Sequence, residues 1–151
     1  MDNYIELALR TDPSSEQYEE IVSRVGNPEI IRLLHAFIGM ATEVGEILDA
    51  LKKHIFYGKE LDLVNVCEEI GDSDWYRGIG IDALSKLLNT DHKTLDETIQ
   101  RNNIEKLAAR YPNKFTEIDA IQRDLTNERK ILENELQPNK MIKYGENQTN
   151  G

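Results

Sequence analysis

Residues 27–58 read NPEIIRLLHAFIGMATEVGEILDALKKHIFYG, and this stretch decides the fold. Its apolar residues recur at spacings of three and four, which is the period of a helix that packs on one side. Asn27 followed by Pro28 predicts the start of the helix, because asparagine is a good cap and proline fits the first turn. Gly58 predicts its end. We therefore expect one long helix over residues 28–57.

The same spacing continues through most of the chain, which contains only 4 prolines and 9 glycines. It therefore predicts an all-α protein. A second long helix is expected over residues 61–88, where Gly71, Gly78 and Gly80 favour a bend or a break. The short connection between the two long helices favours antiparallel packing, so we expect a helical bundle built on this pair. Additional packing helices are predicted over residues 3–10, 15–24, 93–110 and 118–136.

The length of 151 residues fits a single domain. We expect this all-α domain to cover residues 1–136, with its core at about 28–115 and an accessory C-terminal helix at 118–136. The segment 137–151 is polar and contains two glycines, so we expect it to form a flexible tail.

The charge of the chain argues against several classes of partner. With 18 basic and 28 acidic side chains the net charge is −10, which opposes binding to the phosphate backbone of a nucleic acid. No apolar run approaches the roughly 20 residues of a membrane span, and the N-terminus lacks the pattern of a signal peptide. A single cysteine, Cys67, cannot form an intramolecular disulfide or a zinc cluster. We expect a cytoplasmic protein without nucleic-acid or membrane partners.

Two pairs of carboxylates stand out in the long helices: Glu43 with Glu46, and Glu69 with Asp72. Residues three apart share a helix face, so antiparallel packing would bring both pairs into one groove. Converging carboxylates repel one another unless a divalent cation lies between them, and oxygen ligands favour magnesium or manganese over zinc. Spacing alone leaves a second interpretation open, in which these are ordinary acids on a solvated surface.

Other residues offer weaker signals. Asn103, Lys106 and Arg110 fall on one stripe of the helix over 93–110, where they could bind phosphate oxygens or form a solvated basic edge. Tyr76 shares the face of Glu69 and Asp72 and is a candidate for stacking on a base, although aromatic residues at helical spacing are more often packed in a core.

The acidic pairs form a recognisable pattern. Glu43-Val44-Gly45-Glu46 is followed, after 22 residues, by Glu69-Ile70-Gly71-Asp72 and then by Trp75-Tyr76. This E-x-x-E, spacer, E-x-x-D arrangement resembles the signature of the MazG-like all-α nucleoside triphosphate pyrophosphohydrolases. The segment from Asn103 to Phe115 is similar to the stretch that closes the nucleotide pocket of that family. The resemblance covers about residues 30–115 and departs at Ser73-Asp74, where many relatives carry aliphatic residues.

The resemblance implies a magnesium-dependent hydrolase, with manganese as a second option for the metal. The substrate would be a ribo- or deoxyribonucleoside triphosphate, cleaved between the α and β phosphates to give the monophosphate and pyrophosphate. A homo-oligomer, either a dimer or a tetramer, is also implied. The implied metal-binding and catalytic residues are Glu43, Glu46, Glu69 and Asp72, and the implied triphosphate contacts are Asn103, Lys106 and Arg110.

Two other functions stay open at this point. The first is a protein of the same fold that binds a nucleotide or a nucleotide-like signal without hydrolysing it. The second is a helical interaction protein that docks a partner through its amphipathic C-terminal helix. Intact carboxylate pairs argue against the first, because a protein that only binds a nucleotide has no need of them.

Overall fold

A computed structural model describes residues 3–136 of the chain, so the segment 137–151, for which a flexible tail was predicted, lies outside the described residues. Within 3–136 every regular element is a helix, which confirms the all-α prediction. The helices are α1 (Tyr4–Leu9), α2 (Ser15–Val25), α3 (Pro28–Tyr57), α4 (Leu63–Leu88), α5 (His92–Arg110), α6 (Glu117–Ile121) and α7 (Leu125–Glu133). Over the same residues, none of these helices combines the length and apolar content that crossing a membrane requires.

Helix α3 begins and ends where the sequence predicts. The side chain of Asn27 accepts a hydrogen bond from the backbone N–H of Glu29 at 2.9 Å, which satisfies one of the free donors at the helix start. At the other end, Gly58 adopts the left-handed conformation with φ 64°, which a residue without a Cβ takes up most easily. The two caps therefore set the length of the helix that carries Glu43 and Glu46.

Helix α4 is continuous from Leu63 to Leu88, so the break predicted as one option near its glycines is absent from this helix. Asp62 starts it by accepting hydrogen bonds from the N–H groups of Val64 and Asn65. One of the glycines has a packing role instead: a Cβ placed on Gly80 would lie 3.4 Å from the Cβ of Ala36. Glycine at this position serves the contact with α3.

Helices α3 and α4 pack closely against each other through small side chains. Ala36 and Gly39 on α3 are buried, as are Gly80 and Ala83 on α4. The larger apolar residues of α3 lie elsewhere: Phe37 is 60% exposed, Val44 48% and Leu48 60%. The apolar stripe that contains these three residues therefore does not form the core of the described chain, because the small residues beside it take that position.

The C-terminal part corrects a prediction. One helix was expected over 118–136, but the structure has α6 and α7, separated at residues 122–124. The side chain of Asp124 accepts a hydrogen bond from the N–H of Asn127 at 3.0 Å, so it caps a new helix rather than continuing the old one. The apolar spacing did not reveal this interruption because it carries across the break.

Helix α7 is fastened to α5 by polar contacts. The carboxylate of Glu128, only 5% exposed, accepts hydrogen bonds from Arg110 Nε at 2.8 Å and Arg110 Nη2 at 2.5 Å. Arg123 Nη2 donates to the same carboxylate at 2.6 Å. The fully buried Asn102 donates from Nδ2 to the carbonyl oxygens of Leu132 and Asn134. These contacts decide where the C-terminal helices lie.

Candidate metal and substrate site

Three of the four predicted metal ligands come together at the contact between α3 and α4. Glu43 on α3 and Glu69 and Asp72 on α4 each offer a carboxylate oxygen, and these oxygens all lie within 4.8 Å of one another. Glu69 is buried at 5% exposure, Glu43 is partly buried and Asp72 is exposed. We call these three residues the carboxylate cluster. Oxygen ligands from two helices at this separation are suited to a hard divalent cation.

The carboxylate cluster is electrostatically strained. The pKa of Glu43 is raised above its usual value, first by a hydrogen bond with Glu69, then by burial, and then by the negative charges of Glu69, Glu46 and Asp72. Two carboxyl groups can share a hydrogen bond only if one of them carries a proton. The hydrogen bond with Glu69, the burial and the neighbouring negative charges all favour the protonated form of Glu43.

A neighbouring amide orients Glu69 within the cluster. Asn65 lies one turn before Glu69 on α4, and its Nδ2 donates a hydrogen bond to Glu69 Oε1 at 2.7 Å. This hydrogen bond holds one oxygen of the buried carboxylate in place and partly offsets its negative charge. Because the donor is a neutral amide, it brings no positive charge that would compete with a metal ion. Residues that orient ligands in this way are typical of metal sites. The sequence offered a signal for Asn65, since it lies four residues before Glu69 on the same face.

Glu46, the fourth predicted ligand, lies outside the set of oxygens that come within 4.8 Å of one another. It remains close enough for its charge to raise the pKa of Glu43. Its side chain borders a cavity of about 600 Å³ that Asn65 also lines. Glu46 therefore lies between the carboxylate cluster and a cavity large enough for a small molecule.

This cavity extends towards the loop between α3 and α4. Its lining contains two lysines, Lys53 and Lys59, that the sequence reasoning did not single out. Lys53 lies seven residues after Glu46, which places it on the same face of the helix two turns later, so the helical spacing could have revealed it. The lining residues are Thr42, Gly45, Glu46, Asp49, Ala50, Lys53, Lys59, Glu60, Asp62 and Asn65.

The three predicted triphosphate contacts on α5 form bonds with other side chains of the protein. The guanidinium group of Arg110 binds the buried carboxylate of Glu128, and it is 15% exposed. Lys106 Nζ donates to Asn103 Oδ1 at 2.7 Å, so those two side chains bond to each other. Among the described residues, the lining of the cavity next to the cluster includes none of the three. In the structure Arg110 is bonded to Glu128, and the prediction that it binds a triphosphate stays a prediction.

Tyr76 lies in the contact between the two long helices. Its ring meets the ring of His35 edge-on at 5.6 Å between centroids, and the ring of Trp75 at 4.9 Å. A Cβ on Gly39 would overlap the Tyr76 ring. The ring therefore packs against α3, one turn beyond Asp72. Cys67, which follows Asn65 on α4, is exposed.

Comparisons with protein-family models, with curated proteins and with solved structures gave no match to this chain. Its function is therefore inferred from the chemistry of the carboxylate cluster and the adjoining cavity.

Proposed function

We propose that this protein is a magnesium-dependent nucleoside triphosphate pyrophosphohydrolase of the MazG-like kind. The observation that carries the proposal is the convergence of Glu43, Glu69 and Asp72 from two helices, with oxygens within 4.8 Å of one another. These three residues belong to the E-x-x-E and E-x-x-D motifs that resemble the family signature. The substrate is a ribo- or deoxyribonucleoside triphosphate, and the products are a nucleoside monophosphate and pyrophosphate.

The residues of the cluster fit magnesium, with manganese as an alternative. All donors are carboxylate oxygens, which hard cations prefer. The pKa of Glu43 is raised first by its hydrogen bond with Glu69, then by burial, and then by neighbouring negative charges, which a cation would offset. Glu43, Glu69 and Asp72 would hold the ion, with Asn65 keeping Glu69 oriented. A divalent ion bound here would lower the pKa of a water molecule that it coordinates, and it would offset the negative charge that develops on the phosphates.

The chain itself contributes positioning and proton transfer. Glu46 borders the cavity beside the cluster, so its carboxylate can complete the ligand set or accept the proton of the attacking water. The water attacks the α phosphorus, the bond from that phosphorus to the bridging oxygen breaks, and pyrophosphate leaves. No side chain forms a covalent intermediate in this scheme.

We also propose that α3 and α4 form the antiparallel core of a homo-oligomer. Their contacts proceed from Ala36 with Gly80, through Gly39 with Tyr76, to Glu43 with Glu69, so residue numbers rise on one helix as they fall on the other. The apolar residues Phe37, Val44 and Leu48 of α3 are exposed, and Trp75 of α4 is 60% exposed. Exposed apolar area of this kind is typical of a surface that another chain covers.

The test is the release of pyrophosphate from eight ribo- and deoxyribonucleoside triphosphates, in magnesium and in EDTA. We expect magnesium-dependent release of pyrophosphate together with monophosphate. Asp72→Asn should abolish it, while Asp74→Asn should not, because Asp74 is an exposed acid on the same helix outside the cluster. Tight nucleotide binding without any release would instead support a protein that binds a nucleotide without cleaving it. Unchanged release from Asp72→Asn would contradict the ligand set.

A further inference from the structure

The cavity of about 600 Å³ next to the carboxylate cluster is lined by side chains of both charges. Asn65, which lines it, donates a hydrogen bond to Glu69 of the cluster, although the three cluster residues are not themselves in the lining. Glu46 lies in the same lining as Lys53 of α3 and Lys59 of the loop between α3 and α4. Carboxylates and ammonium groups therefore border one volume, and the carboxylate cluster is joined to it through Asn65. A ligand that bears both a metal ion and several negative charges fits this arrangement.

The backbone of the loop fixes the position of Lys59. Gly58 turns the chain at φ 64°, and the N–H of Lys59 then donates to the carbonyl oxygen of Lys53 at 3.2 Å. The carbonyl oxygen of Lys59 lies 2.8 Å from His54 Nδ1, and because a carbonyl can only accept, the histidine nitrogen donates. Lys59 is thus tied on both sides of its Cα to the last turn of α3, next to Lys53.

The two lysines differ in their present partners. Lys53 Nζ binds Asp49 Oδ2 at 2.5 Å, and side chains on a helix lean towards its N-terminus, so this ammonium group lies on the Glu46 side of its own Cα. Among residues 3–136, the ammonium group of Lys59 takes part in none of the observed ion pairs. Within that part of the chain its three N–H donors are therefore not held in an ion pair, and they are suited to a ligand in the cavity.

The charges around the cavity restrict what can enter. Glu46, Asp49, Glu60 and Asp62 contribute four negative charges against two positive charges from the lysines, a balance of −2. The carboxylate cluster adds further negative charge next to it. A free polyphosphate anion would be repelled by this surface, and its complex with a divalent cation would be repelled less strongly because the cation neutralises two of its negative charges.

We infer that Lys59, with Lys53 beside it, binds the phosphate chain of a metal-complexed polyphosphate and holds the departing pyrophosphate. This inference rests on the proposed function, and it moves the phosphate contact from α5 to the loop between α3 and α4. Arg110 is occupied by the buried Glu128, so using it for the substrate would break a two-point ion pair. Lys59 is in none of the ion pairs observed among residues 3–136, so its use would break no such contact.

The experiment measures binding of inorganic pyrophosphate by calorimetry, in the presence and absence of magnesium, independently of any turnover. The wild-type chain should bind pyrophosphate only with magnesium. Loss of one charge-assisted contact should make Lys59→Ala bind roughly 10-fold more weakly or worse. Lys59→Arg should keep most of the affinity, since it preserves the charge. The control is Lys52→Ala, which removes a lysine that does not line the cavity. Lys52 resembles the cavity lysine Lys53 in its side-chain exposure, 50% against 48%, and both lysines pair with Asp49.

The outcomes separate this inference from the proposed function. Equal binding by Lys59→Ala and Lys52→Ala, or no binding of magnesium pyrophosphate by the wild type, overturns the inference even if nucleotides are hydrolysed. A selective loss of binding in Lys59→Ala supports it even if the wild type releases no pyrophosphate from nucleoside triphosphates. In that case the site binds a metal-complexed polyphosphate and the proposed hydrolysis is wrong.

Discussion

The ring of Tyr76 occupies the space that a side chain at Gly39 would need. A Cβ built on Gly39 overlaps three atoms of that ring, so only glycine permits the present distance between α3 and α4 at this point. The contact lies one turn along α3 from Glu43 and one turn along α4 from Asp72. Packing at Gly39 and Tyr76 is therefore directly linked to the geometry of the carboxylate cluster.

We expect Gly39→Ala to destabilise the protein by roughly 1–3 kcal/mol, because overpacking forces the helices apart or turns the Tyr76 ring. Gly78→Ala is the control: it is also in a long helix, no atom lies within 4 Å of its added Cβ, and the better helix propensity should stabilise by roughly 0.5–1 kcal/mol. Urea unfolding measures both. Equal stability of the two variants would contradict the close contact.

The repulsion within the carboxylate cluster predicts a stability gain when one charge is removed. The pKa of Glu43 is higher in the folded protein than in the unfolded protein. At a pH below the unfolded-state pKa, protonated Glu43 therefore contributes fully to the stability of the folded state. This contribution is lost as the pH rises through the folded-state pKa towards neutrality. Glu43→Gln should therefore raise the melting temperature at neutral pH in EDTA. Magnesium should raise the melting temperature of the wild type more than that of the variant. The same magnesium response in both would exclude Glu43 as a ligand.

The ion pairs of Glu128 predict a different dependence on pH. Hydrogen bonds from Arg123 and Arg110 lower the pKa of Glu128 from 4.5 to about 2. Its contribution to stability is therefore complete above about pH 4.5 and is lost as pH falls towards about 2. Glu128→Gln should melt earlier than the wild type at neutral pH, and this difference should shrink with acidification. A difference that stays constant down to the lowest pH would contradict the paired carboxylate.

Arg110 and Glu128 should behave as a pair in a double-mutant cycle. If Arg110 serves to hold α7, then Arg110→Ala and Glu128→Ala should each lower the melting temperature. The double variant should lose much less than the sum of the two single losses, because both substitutions remove the same interaction. Their effects on turnover should also be alike. If Arg110 bound the triphosphate instead, Arg110→Ala would lose far more turnover than Glu128→Ala. The cycle thus tests the original assignment of Arg110 against its position in the structure.

The exposed apolar residues Phe37, Val44 and Leu48 of α3 predict that copies of this chain associate with one another. Size measurement at micromolar concentration should give a mass of at least twice 17.4 kDa for the wild type. Phe37→Glu and Leu48→Glu should shift it towards the monomer, because a charge buried in an interface without a partner is costly. Ile104→Glu serves as the control, since Ile104 is similarly exposed at 65% but lies on α5. A wild type that runs as a monomer would contradict the proposed oligomer.

Local signals in the sequence were sufficient for most of the helix boundaries. Asn27 and Gly58 act through their own backbone neighbours, and the structure shows the cap and the stop that these residues predict. The break at 122–124 was missed because apolar spacing carried across it, while the capping role of Asp124 depends on a single short-range bond. Cap chemistry was more informative than periodicity at that point.

The candidate site was predictable in part. Glu43, Glu69 and Asp72 were placed together because helix periodicity and the short loop constrain them, and the structure brings their oxygens close. Arg110 could not be assigned from its own helix, because its partner Glu128 is 18 residues away and belongs to a helix whose start was wrongly placed. The position of Lys59 depends on the path of the loop, which spacing along one helix does not describe.

The small residues between α3 and α4 also fix how far one helix can slide along the other. Ala36 meets Gly80 and Gly39 meets Tyr76, and a shift by one helical turn would move these pairs by about 5.4 Å. That shift exceeds the 4.8 Å within which the oxygens of the carboxylate cluster lie. Uncharged residues therefore set the register that brings the three carboxylates together, and substitutions there would separate these carboxylates while leaving each of them in the chain.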